Sequence, residues 1–472
     1  MIDLTATYTD HYEIAMSQAY FGQGRTDERA VFDYFFRESP FGGGYTVFAG
    51  LDVLLDALQS LRFDEKDIKF LREQGLAADF LGYLEKFRFS GDLFSSREGD
   101  VVFPVEPILR VEGNIIEAQL IETLLLNILN FHSLVATKAS RIRQVAGDDA
   151  VLIDFGLRRS HGPGGYYASR AAVIGGFDST SNVRAGRDYG IPVSGTMAHS
   201  FVQSFADELS SFRVFAREHP DDCVLLVDTY DTLRSGVPNA IRVGQEMQER
   251  GQRLSGIRLD SGDLAYLSKA ARRMLDEAGL SYVSIAASNQ LDEHVIRSLR
   301  EQGAAIDVYG VGTSLVTGSP DAALDGVYKL AFADGKPRIK LSESTEKISV
   351  PFAKQVFRVL DEEGNFWGAD AIALDDESDI EKMHHPSDPL KSISIEGLRH
   401  MPLLHKVMEN GGRVNGPQSL SSIREYSRER LAMLPDEFKR FENPHIYKVG
   451  LSERLKRERD QLIKEQREKW KH

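Results

Sequence analysis

The chain has 472 residues, 42% hydrophobic and 27% charged, enough to bury a large core and to divide into two or three domains. A formal net charge of −14 argues against a nucleic-acid partner, and a single cysteine, Cys223, excludes an internal disulfide or a cysteine-cluster zinc site. The first residues lack a basic-then-apolar leader pattern and no apolar run approaches a bilayer's thickness, so a cytoplasmic protein without a membrane partner is expected.

Residues 1–130 read as an α+β N-terminal domain. Apolar positions recur at helical spacing from Asp64 to Phe89, and VFAGL and VVFPVEPILRVEG are short strand-like runs. Residues 131–330 change texture: VLIDFG, IPVSG, CVLLVDTYD, LSGIRLDSGD, VSIAASNQ and IDVYGVGT are apolar runs ending in Gly, Asp, Ser, Thr or Asn, with amphipathic helices between several of them. About six units of roughly 25–35 residues point to an α/β fold with an irregular β/α barrel as the catalytic domain. Neither Gly-x-Gly-x-x-Gly nor Gly-Lys-Ser/Thr is present, so dinucleotide and P-loop folds lose their usual support. In 331–472, an Asp334-Gly335 turn and the run KQVFRVLDEEGNFWGADAIAL predict hairpins, followed by highly charged helix, the last segment of it too polar for deep burial. These C-terminal segments are expected to join the N-terminal ones in part, giving an additional α+β domain.

A parallel β/α barrel builds its site at the carboxyl ends of its strands. At the first, the Phe155 ring could stack on a flat heterocycle and Arg158 could bind phosphate through paired N–H donors; a core phenylalanine is the competing reading. Arg158, Arg159, Arg170, Arg184 and Arg187 crowd one stretch, as a candidate anion site or as a solvated basic face. Alternation puts Arg258 and Asp260 on one face. The pair suits a carboxylate and a ribose diol, with Asp260 stabilising oxocarbenium charge, or it forms a structural ion pair; Asp263 is assigned to a helix cap. Gly310-Val311-Gly312-Thr313-Ser314 offers backbone N–H groups for a phosphate, or an ordinary turn. His199, in GTMAHSF, follows a strand and opens a helix, where a neutral imidazole could accept a phosphoryl group; His132 and His161 have less context.

Together, TDHYEIAMSQAYF, FFRESPFGGGYTVFAG, EAQLIETLLLN, DFGLRRSHG, FDSTSNVRAG, GTMAHSF, DTYDTLRSG, GIRLDSGDL and GVGTSLVT resemble the nicotinate phosphoribosyltransferase family in the family's own order, from Thr9 to about Leu330. The resemblance implies a barrel of the type II phosphoribosyltransferase kind. It implies a reaction in which nicotinate attacks C1 of phosphoribosyl pyrophosphate, yielding nicotinate mononucleotide and pyrophosphate. ATP and Mg2+ would take part, the ATP through transient phosphorylation of His199. It also implies a homodimer in which Tyr12 reaches the pyridine ring across the interface. Phe155 and Tyr12 would sandwich that ring, Arg258 would meet the nicotinate, Arg158 would bind phosphate or pyrophosphate, and Asp260 would bind the ribose. Thr196 would join the substrate-binding set, and Gly312 and Thr313 would hold the 5′-phosphate. No structural metal is implied. One departure is the run His11-Tyr12-Glu13, which keeps the tyrosine of the usual TDLYQ form but changes its neighbours.

The sister nicotinamide phosphoribosyltransferases set an aspartate against the amide in a segment resembling Gly-Thr-Asp-Thr. Here Ser181 takes that place, which suits a carboxylate substrate, with Asp178 nearby in sequence. Quinolinate phosphoribosyltransferases are shorter and need no ATP. A catalytically silent barrel would have no need of His199, Arg258 and Asp260 together.

Overall fold

The computed structural model describes residues 4–343 and 348–469. Two compact units result, one from Met1–Thr137 with Ala323–His472 and one from Lys138–Ala322. The first boundary falls inside the helix Glu122–Ala146, whose continuous periodicity carries no mark of it. At the second, the strand Gly326–Ala333 lies whole in the first unit because it pairs antiparallel with Arg29–Phe36.

The first unit contains a seven-stranded sheet, in which Arg29–Phe36 lies between Gly326–Ala333 and the central strand Leu109–Asn114, and a six-stranded sheet built from the C-terminal segment. Asp334 and Gly335 both take positive φ, 54° and 65°, the tight-turn geometry expected of that dipeptide. Lys354–Leu360 and Phe366–Leu374 form the second hairpin. The terminal helix Glu453–Glu468 buries little beyond Leu455 and Arg459, as its polarity predicts. The preceding helix, Leu420–Met433, does more, because it buries Arg430. Arg430 Nε and Arg358 Nη1 both donate to Asp100 Oδ1, at 2.9 and 3.0 Å, and Arg358 Nη2 donates to Asp370 Oδ2 at 2.8 Å. A buried charge survives only if paired and hydrogen-bonded, so this network ties the C-terminal segments to the N-terminal one.

The second unit carries a six-stranded, all-parallel sheet in the order Ser179–Thr180, Val151–Asp154, Val308–Val311, Ser284–Ser288, Gly256–Leu259, Val224–Leu226. Helices cover its strands, which explains why they read as nearly continuous apolar runs. Leu225, Ile257, Ile285, Val243 and Leu275 belong to one buried cluster between the sheet and its helices. Helix starts are capped as their sequence suggests. Asp263 accepts from Tyr266 N, Asp292 from His294 N and Val295 N, and Asp207 from Ser210 N. Beyond Ser179–Thr180, a parallel bridge from Thr180 to Val193 extends that edge of the sheet. No helix among the described residues is long and apolar enough to cross a membrane.

Candidate active site

The carboxyl ends of the parallel strands in the second unit gather most of the polar residues singled out above. His199 begins the short helix His199–Gln203. Its Nδ1 lies 3.1 Å from Thr229 Oγ1, and its Nε2 faces Asp260 Oδ2 at 3.7 Å and Asp228 Oδ1 at 4.0 Å. Asp228 is 1% exposed at its side chain. Its Oδ2 accepts from Asp260 N at 2.9 Å and Ser261 Oγ at 2.6 Å, so it fixes the turn that carries Asp260, while its Oδ1 has no hydrogen-bond partner. Asp260 Oδ1 in turn accepts from Ser288 Oγ. The imidazole is thereby held at one nitrogen by a hydroxyl and faced at the other by two carboxylates.

Arg258 stands on the strand next to this group. Its Nη1 donates to Thr196 Oγ1, and its buried Nε has no partner. Burial pulls the guanidinium pKa down, Asp260 and Asp228 push it back up, and Arg158 adds a repulsion, so these four charges share one neighbourhood. The Phe155 ring is half-buried and packs closely against Gly310, where an added Cβ would fall 2.4 Å from two ring carbons. Gly312 and Thr313 open the helix Thr313–Thr317 just beyond that strand, with Thr313 exposed. Ser181 follows the edge strand, its N–H donating to Asp154 O at 2.9 Å.

Asp154 itself is 1% exposed and accepts from Ser169 Oγ, Thr180 Oγ1 and Gly156 N at 2.7, 2.8 and 2.8 Å. Burial raises its pKa against the pull of those three bonds, and the network fixes the turns carrying Phe155 and Ser181. Tyr12 belongs to the first unit, on the helix His11–Gly22, half-exposed with its hydroxyl 3.4 Å from Glu122 Oε1.

Several expectations change. The five arginines do not form one anion site: Arg184 and Arg187 both clamp the neighbouring Asp188, Arg170 is buried, and Arg158 alone of them bears on Arg258. Asp178 is occupied elsewhere, accepting from Arg143 Nη2 at 2.6 Å and Leu152 N at 2.8 Å, which leaves Ser181 as the polar group at the edge-strand turn. His132 is buried with Nδ1 2.7 Å from Ile128 O, a structural arrangement, and His161 is exposed. Asp228, Thr229 and Ser288 were not singled out from sequence. The run VLLVDTYD ends a strand in the same manner as GIRLD, and that shared form was the available signal for the first two. Among the described residues no group of three or more His, Cys, Asp or Glu is arranged to hold a metal ion.

The family described as "Nicotinate phosphoribosyltransferase (NAPRTase) family" matches residues 151–363, with its N-terminal domain at 7–130 and its C-terminal domain at 353–459. A nicotinate phosphoribosyltransferase of Bacillus subtilis is 45% identical over 461 residues, covering 96% of this chain and 94% of that protein. The chain belongs to the nicotinate phosphoribosyltransferase family. A Mycobacterium tuberculosis member is 42% identical over 454 residues, covering 95% of this chain and 92% of its own. The crystal structure of human nicotinic acid phosphoribosyltransferase superposes with a TM-score of 0.85 at 31% identity, over 96% of this chain and 99% of that one. The likeness to nicotinate phosphoribosyltransferases therefore does not end near Leu330, as the motifs suggested, but runs through the C-terminal segment.

Proposed function

We propose that this chain transfers a phosphoribosyl group to nicotinate in NAD salvage, coupled to ATP through a phosphohistidine at His199. N1 of nicotinate attacks C1 of phosphoribosyl pyrophosphate, the bond from C1 to the pyrophosphate oxygen breaks, and nicotinate mononucleotide and pyrophosphate leave. ATP and water become ADP and phosphate by way of the imidazole. The observation that carries this reading is the imidazole fixed between Thr229 and the Asp228–Asp260 pair, beside Arg258.

Two carboxylates near Nε2 favour a proton there, which leaves the Nδ1 lone pair as the phosphoryl acceptor, with the Thr229 hydroxyl donating to it at rest. The same carboxylates balance the charge of a protonated phosphoimidazole. Asp260, steadied by Ser288, suits the ribose and the positive charge that develops at C1. A nicotinate carboxylate would satisfy the unpartnered Arg258 Nε in a charge-assisted hydrogen bond. Phe155, backed by Gly310, offers a ring face for the pyridine, and Ser181 a hydroxyl donor for the acid. Arg158 is assigned to phosphate or pyrophosphate, Gly312 and Thr313 to the 5′-phosphate, and Thr196 to holding Arg258. Tyr12 is assigned to the pyridine ring of a second subunit in a homodimer.

Asp228 Oδ1 and Asp260 are hard oxygen donors, one of them unpartnered, and so fit Mg2+ brought in with pyrophosphate. Bound there, the ion would neutralise charge on the leaving group. An irregular barrel is supported by the segment after Val193. It leaves one edge of the sheet and carries Thr196 to Arg258, inside the strand next to the other edge, and His199 to Thr229, just beyond that edge strand. Such a junction accords with a sheet that curls round. A cytoplasmic location accords with this metabolic role.

The deciding experiment supplies phosphoribosyl pyrophosphate and Mg2+ with nicotinate or nicotinamide, each with and without ATP. Nicotinate mononucleotide formed faster with ATP is the expected result. Nicotinamide mononucleotide in its place would overturn the role of Ser181, and no product from either would overturn the reading as a whole.

A further inference from the structure

The proposed function uses Tyr12 but gives no role to its neighbour Glu13, where this chain has a carboxyl in place of the amide of the usual TDLYQ form. Glu13 is fully buried. Gln119 Nε2 donates to Glu13 Oε2 at 2.6 Å and to Glu122 Oε2 at 2.9 Å, so one amide bridges two carboxyl groups. Glu122 Oε1 is the atom that accepts from the Tyr12 hydroxyl at 3.4 Å. Glu13 Oε1 is buried with no hydrogen-bond partner.

The groups facing Glu13 are mostly acidic or neutral. From its own helix come Asp10 and Tyr12, and from Glu122–Ala146 comes Glu122. The strand Gly326–Ala333 supplies Tyr328, which feels Glu13, Glu122 and Asp33, and Lys329, whose attraction is to Glu122. One neutral amide cannot compensate a fully buried negative charge beside a second, half-buried one. Burial first and Glu122 second push the Glu13 pKa up to about 7, against hydrogen bonds from Gln119 and Tyr12.

We infer that Glu13 is a positioning residue: neutral in the Gln119 bridge, it holds the first turn of the helix His11–Gly22 and so sets Tyr12 for the nicotinate ring. This rests on the phosphoribosyl transfer proposed above. Loss of the proton puts two like charges across the bridge and releases the turn, so nicotinate binding weakens as pH rises. One pH unit above 7, about a tenth of the molecules keep the proton, and the apparent KM rises about tenfold.

The test compares the full-length wild type with Glu13→Gln, which keeps the shape and cannot ionise. KM for nicotinate and kcat are measured at pH 6 and pH 8, together with hydrogen exchange of the peptide spanning residues 10–22. The wild-type KM should rise about tenfold at pH 8 with kcat nearly level, while the variant's KM stays flat. At pH 8 the wild-type peptide should exchange faster than the variant's, and at pH 6 the two should match. A variant whose KM follows the wild-type pH profile overturns the inference, as does equal exchange at pH 8. If neither protein turns over nicotinate, the transfer reading fails by itself, and the exchange comparison still decides whether Glu13 holds the turn.

Discussion

Gly310→Ala isolates the pairing of Phe155 with its strand neighbour. Gly310 lies in Val308–Val311, paired with Ser288 and Ile153, and its φ is outside the left-handed region, so alanine suits the backbone. The added Cβ would sit 2.4 Å from two Phe155 ring carbons, whereas ordinary contact begins at 3.4 Å, so the ring must retreat by about 1 Å. Overpacking of this size costs about 1–3 kcal/mol of stability. A displaced ring forfeits a stacking contact worth about 0.5–1.5 kcal/mol, or about 2- to 10-fold in nicotinate affinity. Urea midpoints and KM for nicotinate, with phosphoribosyl pyrophosphate and ATP saturating, read the two effects separately. The double variant with Phe155→Leu should regain stability without regaining nicotinate affinity. A single variant with both quantities unchanged, or with both substrates weakened alike, would refute the stacking role.

His199→Ala should abolish phosphoprotein formation and ATP stimulation but leave slow, ATP-independent transfer, because the imidazole is not the nucleophile at C1; ATP stimulation equal to wild type would contradict the assignment. Arg258→Ala removes a charge-assisted hydrogen bond worth about 1.5–3 kcal/mol, so KM for nicotinate should rise about 10- to 100-fold, and an unchanged value would take Arg258 out of the ring site. Asp100→Asn should lower the urea-unfolding free energy of the chain by about 3 kcal/mol at neutral pH. That is the low end for a broken buried pair, because Arg358 keeps Asp370 at 2.8 Å and Glu106 at 3.8 Å as carboxyl neighbours. Burial opposes ionisation of Asp100, yet Arg358 and Arg430 hold its pKa below 3.8. Its contribution is therefore complete above that pH and lost as acid protonates it in the native state, so wild type and variant should converge in acid and diverge at neutrality.

Five of the six parallel strands were legible because each, covered on both faces, lies in a largely apolar run closed by a polar residue; Ser179–Thr180 has no such run, and the expected strand at IPVSG reduces to a bridge at Val193. The cap at Asp263 and the turn at Asp334-Gly335 were legible because both are local, set within a few residues. What escaped was long-range pairing. Asp228 engages Asp260 N and Ser261 Oγ, 32 and 33 residues away, and the strand-end form that VLLVDTYD shares with GIRLD places the aspartate without naming those partners. Asp100 meets Arg358 and Arg430 at separations of 258 and 330 residues, so Arg430, which belongs to a highly charged helical tail in sequence, is interior. The arginines of 158–187 erred the other way: proximity in sequence suggested one site, but Arg184 and Arg187 are neutralised by Asp188 at one to four residues' distance.

Asp228 joins these two lessons, since one oxygen does structural work and the other faces His199 unpartnered. Asp228→Asn separates them. The amide oxygen can still accept from Asp260 N and Ser261 Oγ, so the turn survives, but the negative charge 4.0 Å from His199 Nε2 is gone. That charge is worth about 1–4 kcal/mol at such a distance, between the limits of water and a protein surface, and the imidazole's partial exposure argues for the lower part. Phosphorylation of His199 by ATP should slow by about fivefold or more, while ATP-independent transfer, which keeps Asp260 and Arg258 and loses only the Asp228 share of the Mg2+ site, falls by less. Quenched-flow phosphoprotein assays beside product assays without ATP would measure both. Phosphorylation at the wild-type rate with impaired transfer would reverse the assignment, making Asp228 a partner of the ribose and leaving Asp260 alone to balance the imidazole.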